Sequence, residues 1–462
     1  MFATSPDRGE DVASPDDIEV KVIDVDRRFY VVFFPITKFT ATHGFWSHTG
    51  LGTSSRQAEE TLKNISKLKV VDNHEIVPKP NAKLSQSHLL VKRRIADLME
   101  RAPASGRLTD RKVKQDDVFL FQTGMASIYE VHSWLLDHFN HDAKSILFGF
   151  AFHHTINVFK FFGPEYKFFG KGDDADVVDL ENWLREERAN GTKFQALWCE
   201  YPSNPLIVTP NMRELRRLAD EYKFILIVDD TIGSFSNVDL LALADVVVSS
   251  LTKSFNGYAD AMGGSAVLNP SSRWYTELKE ICQSKYEEEW SNGDADQMEQ
   301  NSRTYLQRSS ILNNNALRLV EHLQGLSANP NSPIAKIHYT TVGTDSEYYK
   351  QTMRQATQEF TPGYGCLFTL ELKTVEQAIA FFDNLNVHHG PHLGAHLTLA
   401  LPYTRMLYSK DLEWASGYNM RPTQVRVAVG LEETDDLIRT FSEAVAAAGK
   451  LSSETVVNGT IE

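Results

Sequence analysis

The sequence predicts an α/β protein: a large unit built on a mostly parallel sheet with helices on both faces, then a smaller α+β unit. Three observations predict it. From about residue 115, short apolar runs alternate with amphipathic stretches: VFLFQ (118–122), SILFGF (145–150), FQALWCE (194–200), FILIVDD (224–230) and DVVVSS (245–250). Strands buried on both faces read as continuous apolar runs, and helices between them make parallel crossovers. After about residue 310 the alternation fades, leaving CLFTLEL (366–372) and QVRVAVG (424–430) as strands. A closing helix, TDDLIRTFSEAVAAAGK, has Thr434 as its N-cap and carries Leu437, Ile438, Phe441 and Val445 on one face.

In chain order, residues 1–18 are polar with little to bury and are expected to be a flexible tail. FYVVFFP (29–35) is the first strand-like run. The remainder of 19–114 reads as helix-rich, with Val91, Ile95 and Leu98 at helical spacing, and is expected to be an arm that packs on another subunit. Residues 115–310 form the large domain, 311–450 the small one, and 451–462 a second tail. A chain of 462 residues exceeds the usual size of one core, so two domains are expected.

The formal charge of −14 argues against general affinity for nucleic acid or anionic membranes, which needs a clustered basic face. The one dense basic run, Lys92 to Arg94, fits a solvated helix face. Cys199, Cys282 and Cys366 lie far apart without metal or redox spacing, which fits a reducing compartment. The acidic start has no apolar segment, and no run approaches the ~20 residues of a membrane span, so a cytoplasmic protein is expected.

The strand ends carry the chemistry. VFLFQ leads into Thr123-Gly124-Met125, a turn entering a helix, where free N–H groups and a close-approaching glycine suit a phosphate. FILIV ends on Asp229, a carboxylate that needs a partner, a cap or a shifted pKa. VVVSS ends on Ser250, Leu251, Thr252 and Lys253; a lysine there either reaches out to solvent or is functional. One cofactor explains all three, since pyridoxal phosphate needs a lysine for its Schiff base, an acid for its ring nitrogen and a phosphate cradle.

ALWCEYPSNP (196–205), VDDT (228–231), SSLTK (249–253) and RVAVGLE (426–432) resemble, in order and spacing, the Cys/Met-metabolism pyridoxal-phosphate enzymes, and most of all the fungal cystathionine γ-synthase branch, from about residue 45 to 447. That resemblance implies pyridoxal-phosphate fold type I, the aspartate-aminotransferase-like architecture, and a homodimer or homotetramer. It implies that Lys253 binds pyridoxal 5'-phosphate as a Schiff base and acts as the catalytic residue, with Asp229 on the ring nitrogen. Ser250, Thr252 and the backbone at Gly124 and Met125 would hold the phosphate. Asn204 and Arg426 would bind the substrate, Arg426 clamping its carboxylate.

Three departures stand out. Where relatives stack a tyrosine on the cofactor, FGFAFHHT offers Phe148, Phe150 and Phe152, with Phe152 the expected stacker. For the Tyr-x-Arg pair that reaches a neighbouring subunit's phosphate, the nearest match is Ser54-Ser55-Arg56, which keeps only Arg56. Where the fungal branch has a small serine before Leu-Gly, this chain has His392, with His396 beyond the glycine and His388 and His389 before it. With no acidic or cysteine partner nearby, these read as pocket histidines that contact substrate, not as metal ligands.

The resulting expectation is γ-replacement on an O-acyl-L-homoserine, with cysteine or a carbon, amine or other sulfur nucleophile as acceptor. The rivals are a γ-lyase acting on cystathionine or a related amino acid, and a non-catalytic regulatory protein on the same fold. Intact Lys253, Asp229, Asn204 and Arg426 speak against the last.

Overall fold

The computed structural model describes residues 14–457 apart from 26, 72–83, 105–106, 108–110, 140 and 164. Of the expected tails, residues 1–13 and 458–462 lie outside the described residues, whereas Pro15–Asp17 forms a 3-10 turn. The chain opens on an antiparallel sheet of β1 (Glu19–Asp24), β2 (Arg28–Phe33) and β3 (Lys69–Val71), in the order β2-β1-β3. This is more strand than the helix-rich reading anticipated. Charged residues make up half of β1, and only Val22 is buried, so its apolar pattern was thin. Helices Phe39–Thr49, Ser55–Lys63 and Gln86–Glu100 complete this region, and Val91, Ile95 and Leu98 are buried as their spacing predicted.

Seven strands form the large sheet: β4 (Val118–Phe121), β5 (Ala143–Phe148), β6 (Tyr166–Phe169), β7 (Lys193–Glu200), β8 (Ile225–Asp229), β9 (Val246–Ser250) and β10 (Gly264–Leu268). Their order is β4-β10-β9-β8-β7-β5-β6, parallel from β6 through β9, with β10 antiparallel to both neighbours. Both faces are buried: along β8, Leu226 and Val228 enter one core while Ile225 and Ile227 enter the other.

The smaller sheet contains β11 (Ile334–His338), β12 (Leu367–Leu372), β13 (His388–His389), β14 (Leu399–Leu401) and β15 (Gln424–Ala428), in the order β11-β12-β15-β14-β13. Its core joins Phe368, Val425 and Val427 to Phe441 and Val445 of the closing helix. Thr434 is the first residue of that helix and not its N-cap, since Leu437 N–H donates to Glu433 O and the Thr434 hydroxyl donates to Asn315 Oδ1 at 2.6 Å; the helix runs to Val457, past Lys450 where the sequence reading ended it. Because β7, β8 and β9 are parallel, Glu200, Asp229 and Ser250 end on one edge of the sheet, where α/β folds place their sites.

Candidate active site

Lys253 sits in the turn after β9, and backbone bonds fix that turn. Lys253 N–H donates to Ser250 O at 3.2 Å, and Gly257 N–H donates to Lys253 O at 2.8 Å. The Thr252 hydroxyl donates to Gly263 O at 3.2 Å and accepts from Gly263 N–H at 3.1 Å. Thr252 therefore staples the lysine turn, and Ser250 is the hydroxyl that faces the helix Gly124–His138.

The junction of Gly124 and Ser250 is close. A Cβ at Gly124 would lie 2.6 Å from Ser250 Cβ and 2.7 Å from Ser250 Oγ, so only glycine fits. Thr123 caps the helix by accepting from Ala126 N–H at 2.9 Å, which leaves the Gly124 and Met125 N–H groups at the open end of the dipole. This cradle, with a hydroxyl on one side and two helix N–H groups on the other, suits a phosphate.

Asp229 ends β8 with Oδ1 accepting from Thr231 N–H at 2.9 Å, while the Thr231 hydroxyl accepts from Ser250 N–H at 2.8 Å. Burial raises the Asp229 pKa, opposed by the bonds from Thr231 and by the Lys253 charge. Burial, then the like charge of Arg426, pushes the Lys253 amine down to about 8, and Asp229 opposes the fall. A half-buried lysine held near neutrality is what imine formation and proton transfer both require.

Facing it, Arg426 projects from the middle of β15 and is buried. Its Nη1 donates to Asn204 Oδ1 at 3.2 Å, its Nη2 donates to Pro391 O, and its guanidinium lies 4.8 Å from the Tyr403 ring centre. Asn204 follows a cis Tyr201-Pro202 bond and precedes a cis bond to Pro205, and its amide donates to the Tyr403 hydroxyl at 3.4 Å.

The aromatic candidates separate cleanly. Phe148 and Phe150 are buried, Phe148 beside Phe169 and Phe150 among Phe168, Tyr408, Trp414 and Tyr418. Phe152 is only half-buried and stands as N-cap of the helix His153–Phe161. Its N–H donates to Glu200 Oε1 at 2.6 Å, so a carboxylate at the end of β7 fixes the ring's backbone. Glu200 lies directly opposite Asp229 in the ladder, and burial followed by the Asp229 charge raises its pKa.

His392 and His396 diverge. Lys253 Nζ lies 3.3 Å from His392 Nδ1, whereas the His396 ring packs at 5.6 Å from the Tyr258 ring. His388 and His389 are exposed on β13, and His389 stacks on Phe382. No group of three or more His, Cys, Asp or Glu among the described residues is arranged to hold a metal ion. Gly394, at φ +72°, explains how the loop approaches, because a Cβ there would lie 2.4 Å from Ser254 N.

Arg56 stays apart from this constellation. Its guanidinium donates to Asp260 O at 2.7 Å and to Asp294 Oδ1 at 3.2 Å within its own chain. Sequence reasoning missed Glu200, Thr231 and Tyr403. Glu200 stood at the end of a quoted run, and its role surfaces only through Phe152, 48 residues away.

A parallel sheet whose strand ends present a lysine, a carboxylate and a helix-end phosphate cradle defines a pyridoxal-phosphate enzyme of the large α/β class. The profile of the family described as Cys/Met metabolism PLP-dependent enzyme matches residues 112–446. The chain belongs to that family. It is 34% identical to the cystathionine gamma-synthase-like enzyme iboG2 of Amanita muscaria, over 91% of this chain and 76% of that one. It is 36% identical to cystathionine gamma-synthase of Neurospora crassa, over 77% and 56%, and 33% identical to alanine racemase ungC of Aspergillus violaceofuscus, over 91% and 74%. Among solved structures, cystathionine gamma synthase of Xanthomonas oryzae pv. oryzae superposes with a TM-score of 0.62 at 18% identity, covering 81% of this chain and 89% of that one. Cystathionine gamma-lyase of Lactobacillus plantarum gives 0.61 at 19%, covering 87% and 97%. The protein is thus a pyridoxal-phosphate-dependent enzyme whose cofactor is pyridoxal 5'-phosphate. No helix among the described residues is long and apolar enough to cross a membrane.

Proposed function

We propose that the protein replaces the γ-acyloxy group of an O-acyl-L-homoserine with a small nucleophile. The observation that carries this reading is the convergence of Lys253 after β9, Asp229 at the end of β8 and the Arg426–Asn204 pair, with burial pushing the lysine amine down to about 8. Bound there, pyridoxal 5'-phosphate supplies an electron sink for negative charge beside the substrate's amino group. Lys253 would hold it covalently, Asp229 would pair with its ring nitrogen, and Phe152 would supply the aromatic ring beside it. Ser250 Oγ and the Gly124 and Met125 N–H groups would hold its phosphate.

The side chains divide the remaining work. Arg426 meets the substrate carboxylate with two parallel N–H bonds. Asn204, Pro391 O and Tyr403 already fix its guanidinium, so it loses little freedom on binding. Lys253 as a free amine takes the α-proton and then moves protons at the β-carbon, its four-carbon stem letting one nitrogen serve both positions. Departure of the γ-acyloxy group needs that charge at the β-carbon, which makes Lys253 the residue on which γ-chemistry depends.

Phe152 in place of a tyrosine and His392 beside Lys253 change the acid–base groups that an acceptor meets. These changes support an acceptor other than cysteine, namely a carbon, amine or other sulfur nucleophile. The purified enzyme is given O-acetyl-L-homoserine with cysteine, a β-keto acid or an amine, and products are read by mass spectrometry. A γ-substituted amino acid from a non-cysteine acceptor is expected. Cystathionine as sole product removes the specialised acceptor, and 2-oxobutanoate with ammonia in the absence of acceptor overturns γ-replacement in favour of elimination.

A homodimer or homotetramer fits the N-terminal region, where Phe33, Ile36, Phe39 and Trp46 are exposed. Light scattering is expected to give a multiple of 52.2 kDa, and a monomer at that mass contradicts it.

A further inference from the structure

Arg308, on the helix Tyr305–Ser327, is a buried cation without an anion. It is 5% exposed, and among the described residues no carboxylate pairs with it. A buried charge in that state is costly unless neutral groups compensate it. Here the compensation comes mostly from backbone carbonyls. Nη1 donates to Asn301 O at 2.8 Å and to the Thr304 hydroxyl at 2.7 Å. Nη2 shares its hydrogens among Ser254 O at 3.2 Å, Phe255 O at 2.9 Å and Asn256 O at 3.1 Å. Those three carbonyls belong to the residues that directly follow Lys253.

The chain is shaped around this guanidinium. Gly257 has φ +80°, and a Cβ there would lie 2.6 Å from both Cζ and Nη2 of Arg308. Glycine at that position lets its N–H reach back to Lys253 O at 2.8 Å, the bond that closes the lysine turn. The guanidinium also lies 5.0 Å from the Tyr258 ring centre, and Tyr258 packs at 5.6 Å against His396. His396 belongs to the loop whose Gly394 abuts the Ser254 backbone, so one side chain supports both the lysine turn and the loop beside it. The charges that act on the Lys253 amine are those of Arg426 and Asp229, which leaves Arg308 to work on position.

We propose that Arg308 is the positioning residue of the cofactor lysine: its planar fork gathers the carbonyls of Ser254, Phe255 and Asn256 and so fixes where Lys253 leaves the end of β9. An ammonium at this position is a point charge on a flexible stem and cannot span Asn301 O and all three carbonyls of the turn. The proposal goes beyond γ-replacement, since it needs Lys253 only as the attachment point of pyridoxal 5'-phosphate.

Full-length apoproteins carrying R308A or R308K test it through the rate at which they take up pyridoxal 5'-phosphate, followed by absorbance. R308A is expected to be at least about tenfold slower, because a displaced lysine meets the cofactor in poor geometry. Guanidinium chloride far below denaturing concentrations is expected to restore its rate, and sodium chloride at equal ionic strength is not. R308K keeps the charge without the fork and is expected to be at least about threefold slower. Hydrogen exchange read by mass spectrometry is expected to quicken in R308K at the segment carrying Gly257 and to stay unchanged in β8 and β9. Unchanged uptake in R308K overturns the proposal, whether or not R308A folds. Slow uptake in R308A that guanidinium fails to restore also overturns it, as does exchange that quickens equally across the large sheet, the mark of a merely structural role. No acceptor or product enters these measurements, so γ-replacement stands or falls separately.

Discussion

Replacing Lys253 by Met removes a buried amine while nearly keeping its length, and the cofactor-free protein is expected to become more stable. In the unfolded chain this amine titrates at its ordinary 10.5, against about 8 in the fold. At 1.36 kcal/mol per pH unit, that gap corresponds to about 3 kcal/mol of penalty for carrying the charge at pH 7. Residual exposure of the side chain trims this to about 2 kcal/mol. The sign follows from proton uptake: between pH 8 and 10.5 the unfolded chain binds more protons, so the native protein gains stability as pH rises through that window. The advantage of K253M is thus full below about pH 8 and gone by about pH 10.5. Urea midpoints of the two apoproteins at pH 7 and pH 10.5 provide the assay. Because most substitutions destabilise by about 1 kcal/mol, a gain is diagnostic of a residue kept for function. A K253M protein less stable at pH 7, or one whose advantage is the same at both pH values, refutes the reasoning.

Other outcomes follow from the geometry. Gly124→Ala drives a methyl to 2.6 Å from Ser250 Cβ, so cofactor affinity is expected to fall at least about tenfold by absorbance titration, and unchanged affinity contradicts the cradle. Arg426→Lys loses the two-point fork, and kcat/KM is expected to fall about a hundredfold, equivalent to about 3 kcal/mol, with the cofactor still bound. Gly394→Ala places a Cβ 2.4 Å from Ser254 N at φ +72°, and is expected to lower stability by about 1–3 kcal/mol in thermal unfolding.

Much of this site was legible because parallel strands buried on both faces leave an unmistakable mark. The runs ending at Asp229 and Ser250 are uninterrupted apolar stretches, and each polar residue at their ends needed an explanation. Strands with weaker marks were lost. Tyr166–Phe169 is an edge strand of four residues with a lysine inside it, and Gly264–Leu268 begins on a glycine and runs against its neighbours. That glycine is itself dictated from afar, since a Cβ there would lie 2.2 Å from Thr123 O. Contacts between distant segments were equally invisible: Lys253 and His392 are 139 residues apart, and Asn204 and Tyr403 are 199 apart. Periodicity reports which face is buried, and says nothing about which strand end meets which loop.

The most direct test of the account is borohydride reduction of the cofactor-loaded enzyme followed by proteolysis and mass spectrometry. A pyridoxyl-phosphate adduct on Lys253, and on no other lysine, is the expected result. Full occupancy of the cofactor with an unmodified Lys253, or an adduct on another lysine, contradicts it.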